Sequence, residues 1–416
     1  MGRGTRIVVT GLGAITPLGL DVASTWESIK MNRSGVGPIT RFDPSQLLTK
    51  IAAEVKGFDP KNYMDGKDAR KMDMFSQFAV AAAKEAVRDA GLLEGTFDPT
   101  RAGVILGVGI GGFETVETSH TALLEKGPSR VPPMTIPKLI ANIGPGNVAI
   151  MLGLEGPCFT VTTACASGTD AIGNAVFWIE KGICDFVLTG GVESAITPFG
   201  VAGFNVIQAL STKYNDRPTE ASRPFDKDRD GFVMGEGAGI LVLESLEHAK
   251  KRGAKIYAEY GGYGATCDAN HLTAPHPEGK GAIAAMRMAL ADAGLRPEDI
   301  DYINAHGTST PMNDPIETAA IKAAFGDHAY NLKVSSTKSM TGHCLGAAGG
   351  IEALICVLAI KDQFFPATIN LQNPDPLCDL DYVPNKGVPG EIRYAMSNTF
   401  GFGGHNGIVV FKKYEE

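Results

Sequence analysis

The sequence predicts a layered α/β fold built from two similar halves, and three observations carry that expectation. Short β-branched runs alternate with alanine-rich stretches, as strands alternate with the helices that cover them. One stretch recurs: AVAAAKEAVRDAGL at 79–92 and AIAAMRMALADAGL at 282–295 agree at eight of fourteen positions. Glycine fills 51 of 416 positions with no G-X-Y period. That is well above the usual ~7% and points to tight strand-to-helix turns and close backbone approaches.

The elements follow in order. RIVVT at 6–10 reads as the first strand, and 74–91 as a helix. GVILG at 103–107 and CFTVTT at 158–163 read as strands, followed by a helix over 166–181. DFVLT at 185–189 and GILVL at 239–243 complete the strands of the first half. The pattern restarts at KIYAEYGGYG, 255–264. A helix at 280–293, a strand at 301–305 and helices at 315–325 and 345–361 follow. Helices 166–181 and 345–361 carry few charges, which places them between layers rather than on a surface. The halves therefore divide as 1–254 and 255–416, with the surplus of the first half, at 30–75 and 113–145, expected to form a cap. TACASG at 163–168 and TGHCLG at 341–346 each open onto a long apolar helix. If these turns are equivalent, Cys165 corresponds to His343 and both reach one interface.

The formal net charge of −8 argues against a general nucleic-acid binder and leaves room for a local basic patch facing an acidic partner. Seven cysteines without a C-x-x-C spacing read as a reduced chain. The N-terminus MGRGTRIVVTGLG has no apolar leader, and no apolar run approaches the ~20 residues of a membrane span. A soluble cytoplasmic protein is expected, and a mature plastid or mitochondrial form would look the same.

Cys165 stands between a strand and a helix N-terminus, where free N–H groups and the helix dipole are expected to lower a thiol pKa and to hold an oxyanion. Cys158, Cys184, Cys356 and Cys378 read as buried structural thiols. His306 in NAHGTSTPMND and His343 in SSTKSMTGHCLG emerge from turns after strands. Each suits a structural hydrogen bond or catalysis. Lys338 is placed to tune His343, and Glu352 to orient Lys338 or a bound cation. No histidine or cysteine spacing suits zinc, and no metal is expected. Phe400 and Phe402 in SNTFGFGGHNG look like a movable plug, or a core aromatic beside a turn. His405 reads as structural. GVGIGG at 107–112 matches G-x-G-x-x-G, which leaves an NAD-dependent oxidoreductase as a remote alternative. The acidic strand end that should follow such a loop is missing.

Four motifs in order, TTACASGTDAIGNA, NAHGTSTPMNDPIE, KSMTGHCLGAAGGIEA and SNTFGFGGHNG, resemble those of the β-ketoacyl-acyl-carrier-protein synthases, the condensing enzymes. The likeness runs from VVTGLGAITPLG near residue 8 to GFGGHNG near 407. SRPFDKDRDGFVMGEGAG and the GIGG at 109–112 are most similar to the type II enzyme of dissociated fatty-acid synthesis. The resemblance implies the thiolase fold, a five-layer α-β-α-β-α duplication, usually as a homodimer. It implies an acyltransferase that extends acyl chains by decarboxylative condensation with malonyl-acyl-carrier protein; a polyketide or secondary-lipid ketosynthase would share this chemistry.

By the same resemblance Cys165 is the nucleophile, His306 and His343 the histidine pair, and Lys338 the motif lysine. Phe402 is the gate with Phe400 beside it, and Ile110 lines the acyl pocket. Thr308, Thr310 and Thr273 meet the phosphopantetheine arm. That arm belongs to the partner acyl carrier protein, so no resident cofactor is expected. Lys67, Arg70 and Lys71 resemble basic positions that dock the carrier protein, whereas Gln208 stands where similar enzymes often carry arginine.

Overall fold

The computed structural model describes residues 4–92 and 95–416. Its main strands fall into two sets of five. The first comprises β1 (Ile7–Ile15), β2 (Ala102–Gly107), β3 (Cys158–Val161), β4 (Phe186–Glu193) and β5 (Gly237–Ser245), in the spatial order β1-β5-β4-β2-β3. The second comprises β6 (Ala258–Cys267), β7 (Tyr302–Asn304), β8 (Lys333–Ser335), β9 (Tyr394–Gly401) and β10 (His405–Lys412), in the order β6-β10-β9-β7-β8. Counted along the chain, the two orders are the same. Their senses also match: β1–β5 and β4–β5 are antiparallel, as are β6–β10 and β9–β10. The β4–β2–β3 and β9–β7–β8 pairings are parallel. A short antiparallel pairing, Val8 with Glu259 and Val9 with Ala258, joins the two sheets edge to edge.

Four helices complete the layers: α1 (Met74–Asp89), α2 (Ser167–Glu180), α3 (Lys280–Ala293) and α4 (Ala348–Asp362). The outer helix α1 packs on β1 and β5, and α3 packs on β6 and β10. The inner helices α2 and α4 pack against each other and touch strands of both sheets. The result is an α-β-α-β-α stack. Residues Ala348–Ile360 of α4 are all buried, as a middle layer requires.

The repeated sequence marks a repeated contact. A Cβ added at Gly11 would fall 2.2 Å from the Ala86 carbonyl oxygen, and one at Gly13 1.9 Å from that of Ala82. On β6 the same additions at Gly262 and Gly264 would fall 2.5 Å from the Ala289 oxygen and 2.1 Å from that of Ala285. Glycine on the strand and alanine on the helix thus let each outer helix lie almost on the backbone of its sheet. The aspartate of each DAGL ending then takes a strand N–H: Asp89 from Leu12 at 3.0 Å, Asp292 from Tyr263 at 2.9 Å.

Glycines also bring the central helices together. A Cβ at Gly168 would sit 2.6 Å from the Gly350 nitrogen, and one at Gly349 2.4 Å from the Thr169 nitrogen. The helix starts can approach this closely only without side chains, and the turns ahead of them then meet.

The elements differ from expectation mainly at their ends. β1 and β4 run on to Ile15 and Glu193, and residues 345–347 form a 3₁₀ turn before α4. Strands β6, β8, β9 and β10 were not among the strands expected from sequence, although the pattern restarts at 255–264 and β10 holds the run GIVVF. Within 30–75 and 113–145 lie a two-stranded sheet (Gly37–Pro38 with Ile51–Ala52) and the helix Phe113–Lys126. No helix among the described residues is long and apolar enough to cross a membrane.

Candidate active site

Cys165 lies two residues ahead of α2 and follows Ala164, whose φ is +50°. Ser167 holds this unfavourable turn: its hydroxyl accepts the Thr163 N–H at 2.9 Å and donates to the Ala164 carbonyl at 2.6 Å. His343 follows Gly342, whose φ is +66°. Each half therefore presents its reactive side chain one residue after a left-handed turn, at the entrance to a central helix. The Phe402 backbone N–H donates to the Cys165 sulfur. Gly401 makes that approach possible, since a Cβ there would lie 2.6 Å from the Thr163 carbonyl and 3.1 Å from the Cys165 nitrogen.

The thiol departs from the sequence expectation. Burial pushes Cys165 up to about 12, against the downward pull of Lys338 and the Phe402 N–H, and Glu193 adds to the rise. A helix N-terminus is worth up to ~2 kcal/mol in favourable geometry, too little to reverse that shift. The resting group is a thiol.

Segment 232–235 straps down the backbone of His343: its N–H donates to the Val233 carbonyl at 2.7 Å and its carbonyl accepts the Gly235 N–H at 2.9 Å. Its Nδ1 accepts the Leu345 N–H at 3.3 Å, so the ring proton sits on Nε2. His306 and Gly307 donate their N–H groups to the buried Glu317 carboxylate at 2.8 and 2.7 Å. The two imidazoles stand nearly perpendicular with centroids 5.3 Å apart. Phe400 lies 5.4 Å from His306, and Phe232 5.2 Å from His343. Both imidazoles are held well below the usual histidine range, first by burial and then by the Lys338 charge; His343 adds to the effect on His306. Both are neutral near pH 7. Lys338 is itself buried, 1% exposed, and pairs with Glu352, 2% exposed on α4. Burial pushes Glu352 up to about 7 despite this partner.

These groups surround a cavity of about 670 Å³. Its wall contains Cys165, His306, His343, Phe400, Phe402, Ile110, Thr308, Thr310 and Thr273, all of them expected from sequence. The Thr308 and Thr310 hydroxyls lie 3.0 Å apart. Lys338 sits behind the wall. Lys67, Arg70 and Lys71 are exposed around the short helix Gly66–Ala69 and take no part in the lining. Gln208 is exposed and lines the cavity with a φ of +56°. His405 also lines it, a placement beyond the purely structural one expected.

Two further expectations are corrected. Cys158 is exposed on β3, the last strand of its sheet, whereas Cys184, Cys356 and Cys378 are buried. The GVGIGG loop offers no room for a dinucleotide phosphate, because the Glu193 carboxylate already accepts the N–H groups of Gly109, Ile110 and Gly111. Glu193, Glu317 and Phe232 had not been singled out in the sequence. The only available signal was for Glu193, an acid ending an apolar strand within reach of a glycine loop whose N–H groups need an anion. Among the described residues no group of three or more His, Cys, Asp or Glu is placed to hold a metal ion.

The comparisons with known proteins agree with this architecture. The model of the β-ketoacyl synthase N-terminal domain matches residues 4–249, and that of the C-terminal domain matches 257–372. The chain is 55% identical over 410 residues to a 3-oxoacyl-[acyl-carrier-protein] synthase 2 of Synechocystis sp., covering 99% of this chain and 98% of the relative. It is 52% identical over 415 residues to the protein of the same name in Staphylococcus aureus, covering 100% of each. A solved type II PKS acyl-carrier protein in complex with its ketosynthase, bound to the hexaketide, matches with a TM-score of 0.90 at 34% identity, over 99% of this chain and 100% of that one. The duplicated five-layer stack is the thiolase fold, and this chain belongs to the β-ketoacyl synthase family.

Proposed function

We propose that this chain is the condensing acyltransferase of fatty-acid elongation, a 3-oxoacyl-acyl-carrier-protein synthase that takes both acyl and malonyl groups from acyl carrier protein. The observation that carries the reading is two neutral imidazoles sharing one cavity with a cysteine at a helix entrance. In the first half-reaction the Cys165 sulfur attacks the acyl thioester, and its proton leaves as the S–C bond forms. The oxyanion is held by backbone N–H groups of Cys165 and Phe402. The carrier thiol departs protonated. In the second, malonyl-carrier protein binds with its arm along Thr308, Thr310 and Thr273. His306 and His343 donate to the malonyl thioester oxygen as CO₂ is lost. The resulting enolate carbon attacks acyl-Cys165 and leaves a 3-oxoacyl chain two carbons longer, and the sulfur, released as thiolate, takes a proton from water to restore the resting thiol. Neutral rings suit this donor role, and at His343 the proton sits on Nε2. Phe402, with Phe400 behind it, gates the acyl pocket next to Ile110, where Gly403 and Gly404 at φ +90° and +79° supply the hinge.

A polyketide ketosynthase would use the same steps. The higher identity to 3-oxoacyl-acyl-carrier-protein synthases, 55% against 34% for the PKS ketosynthase, favours fatty-acid elongation. Lys67, Arg70 and Lys71 form the docking patch, no resident cofactor takes part, and the enzyme works as a cytoplasmic homodimer. The homodimer is supported by the open outer edge of β3, which ends its sheet.

The reading is tested by separating the half-reactions. Cys165→Ala is expected to abolish acyl transfer, and normal condensation by this variant would sink the mechanism. His343→Asn is expected to keep Cys165 acylation and lose malonyl decarboxylation; equal loss of both would refute this division of labour. A chain-length series of acyl-carrier proteins, read by product mass, then gives the preferred substrate.

A further inference from the structure

Glu193 ends β4 and is fully buried. Its carboxylate accepts the N–H groups of Gly109 at 2.9 Å, Ile110 at 3.2 Å and Gly111 at 3.3 Å. It also accepts the Gly346 N–H at 3.2 Å, from the opposite half of the molecule. Burial pushes Glu193 up to about 7 against the downward pull of these four N–H groups. As a carboxylate it offers about four acceptor sites, all directed at donors here. The junction leaves no space for side chains. A Cβ at Gly109 would lie 2.5 Å from the Glu193 carboxylate, and one at Gly346 2.7 Å from it and 2.3 Å from the Gly109 nitrogen. One arm of the junction carries Ile110, which lines the cavity. The other carries Leu345, held at φ +49°, whose N–H sets the His343 tautomer one residue before the Gly346 bond.

We propose that Glu193 is a positioning residue that clamps the loop bearing Ile110 to the turn bearing His343, so that the wall of the acyl pocket and the decarboxylating imidazole are set by one buried carboxylate. This rests on the condensing function proposed above. An amide in its place keeps one acceptor oxygen and turns an NH₂ toward N–H donors. Glu193→Gln therefore loosens both arms together while conserving volume. A misplacement near 1 Å is enough to cost ~100-fold in rate.

The test measures both half-reactions and the melting temperature for Glu193→Gln and Glu193→Asp. Glu193→Gln is expected to lower the kcat of malonyl decarboxylation on the order of tenfold to a hundredfold at near-constant malonyl KM. It should also raise the acyl KM more for long chains than for short ones, and Glu193→Asp, which keeps the charge, should recover part of both. Unchanged half-reactions in Glu193→Gln, or losses that track only the folded fraction, would overturn the proposal. If Glu193→Gln does not fold, amide hydrogen exchange on the unaltered protein decides. Segments 109–111 and 345–346 are expected to exchange together and slowly, and rapid exchange in either one refutes the clamp. Exchange needs no turnover, so a chain that proved inactive in condensation would overturn the functional reading while leaving the clamp separately testable.

Discussion

Lys338 acts on the site from behind its wall. Its charge lowers both histidine pKa values, and it forms the buried pair with Glu352. The sign of its removal follows directly. The working imidazoles are neutral, so activity is present above their pKa and lost as pH falls through it. Lys338→Met removes a cation that holds both values down, so the acid limb of malonyl decarboxylation should move to higher pH. An unmoved limb would deny the lysine its electrostatic role. The same variant leaves Glu352 buried without its partner, so the melting temperature should fall as well, by less than an uncompensated buried charge would cost because the carboxyl can protonate. Glu352 already sits near 7 beside the lysine, and without it the carboxyl takes up a proton more readily still. Cys165, His306, His343 and Lys338 were legible because each stands in a turn of small residues after a strand. Glu193 and Glu317 were not, because a carboxylate that accepts backbone N–H groups has no partner side chain whose spacing could reveal it.

The central helices depend on their glycines, and not all glycines are alike. At Gly349 an added Cβ would meet the Thr169 nitrogen and hydroxyl, each at 2.4 Å, where α2 and α4 cross. At Gly203, within the helix Pro198–Val206, an added Cβ would meet nothing within 4 Å. Gly349→Ala should therefore force the helices apart and destabilise by at least the ~1–3 kcal/mol of overpacking. Gly203→Ala should be neutral or stabilising by ~0.5–1 kcal/mol through helix propensity. Urea midpoints for the two variants check this, and equal midpoints would show that the crossing is not tightly packed. Helices were easy to read because a middle-layer helix such as α4 is apolar all round, while α1 and α3 share their alanines. β9 and β10 were hidden by SNTFGFGGHNG, which reads as a turn. Two of its glycines in fact lie where other backbone comes close: a Cβ at Gly401 would sit 2.6 Å from the Thr163 carbonyl oxygen, and one at Gly404 3.2 Å from the Asp268 nitrogen. Strand signals built on β-branched residues fail where a sheet needs glycine to admit its neighbours.

At the scale of the whole molecule, duplication brings Cys165 of the first half and His306 and His343 of the second to a shared centre, while the net charge of −8 sets how a carrier partner can approach. An acidic carrier protein meets a repulsive field over most of such a surface, and only a local cluster of cations reverses it. Within the proposed patch Lys71 already pairs with Asp68 at 3.0 Å. Lys67 and Arg70 are exposed and, among the described residues, have no salt bridge. They are the cations free to steer a partner. The double variant Lys67→Glu with Arg70→Glu should raise the KM for acyl-carrier protein by roughly tenfold at low salt, since rim charges act mainly on association. Its kcat should hold, because neither residue lines the cavity. The defect should shrink at high salt, where the screening length falls from ~10 Å at 0.1 M to ~3 Å at 1 M. Acyl groups offered on a small pantetheine thioester should react at the unaltered rate. An equal loss on the small thioester would assign the effect to the fold, and an unchanged KM for the carrier-borne substrate would move the docking surface elsewhere on the protein.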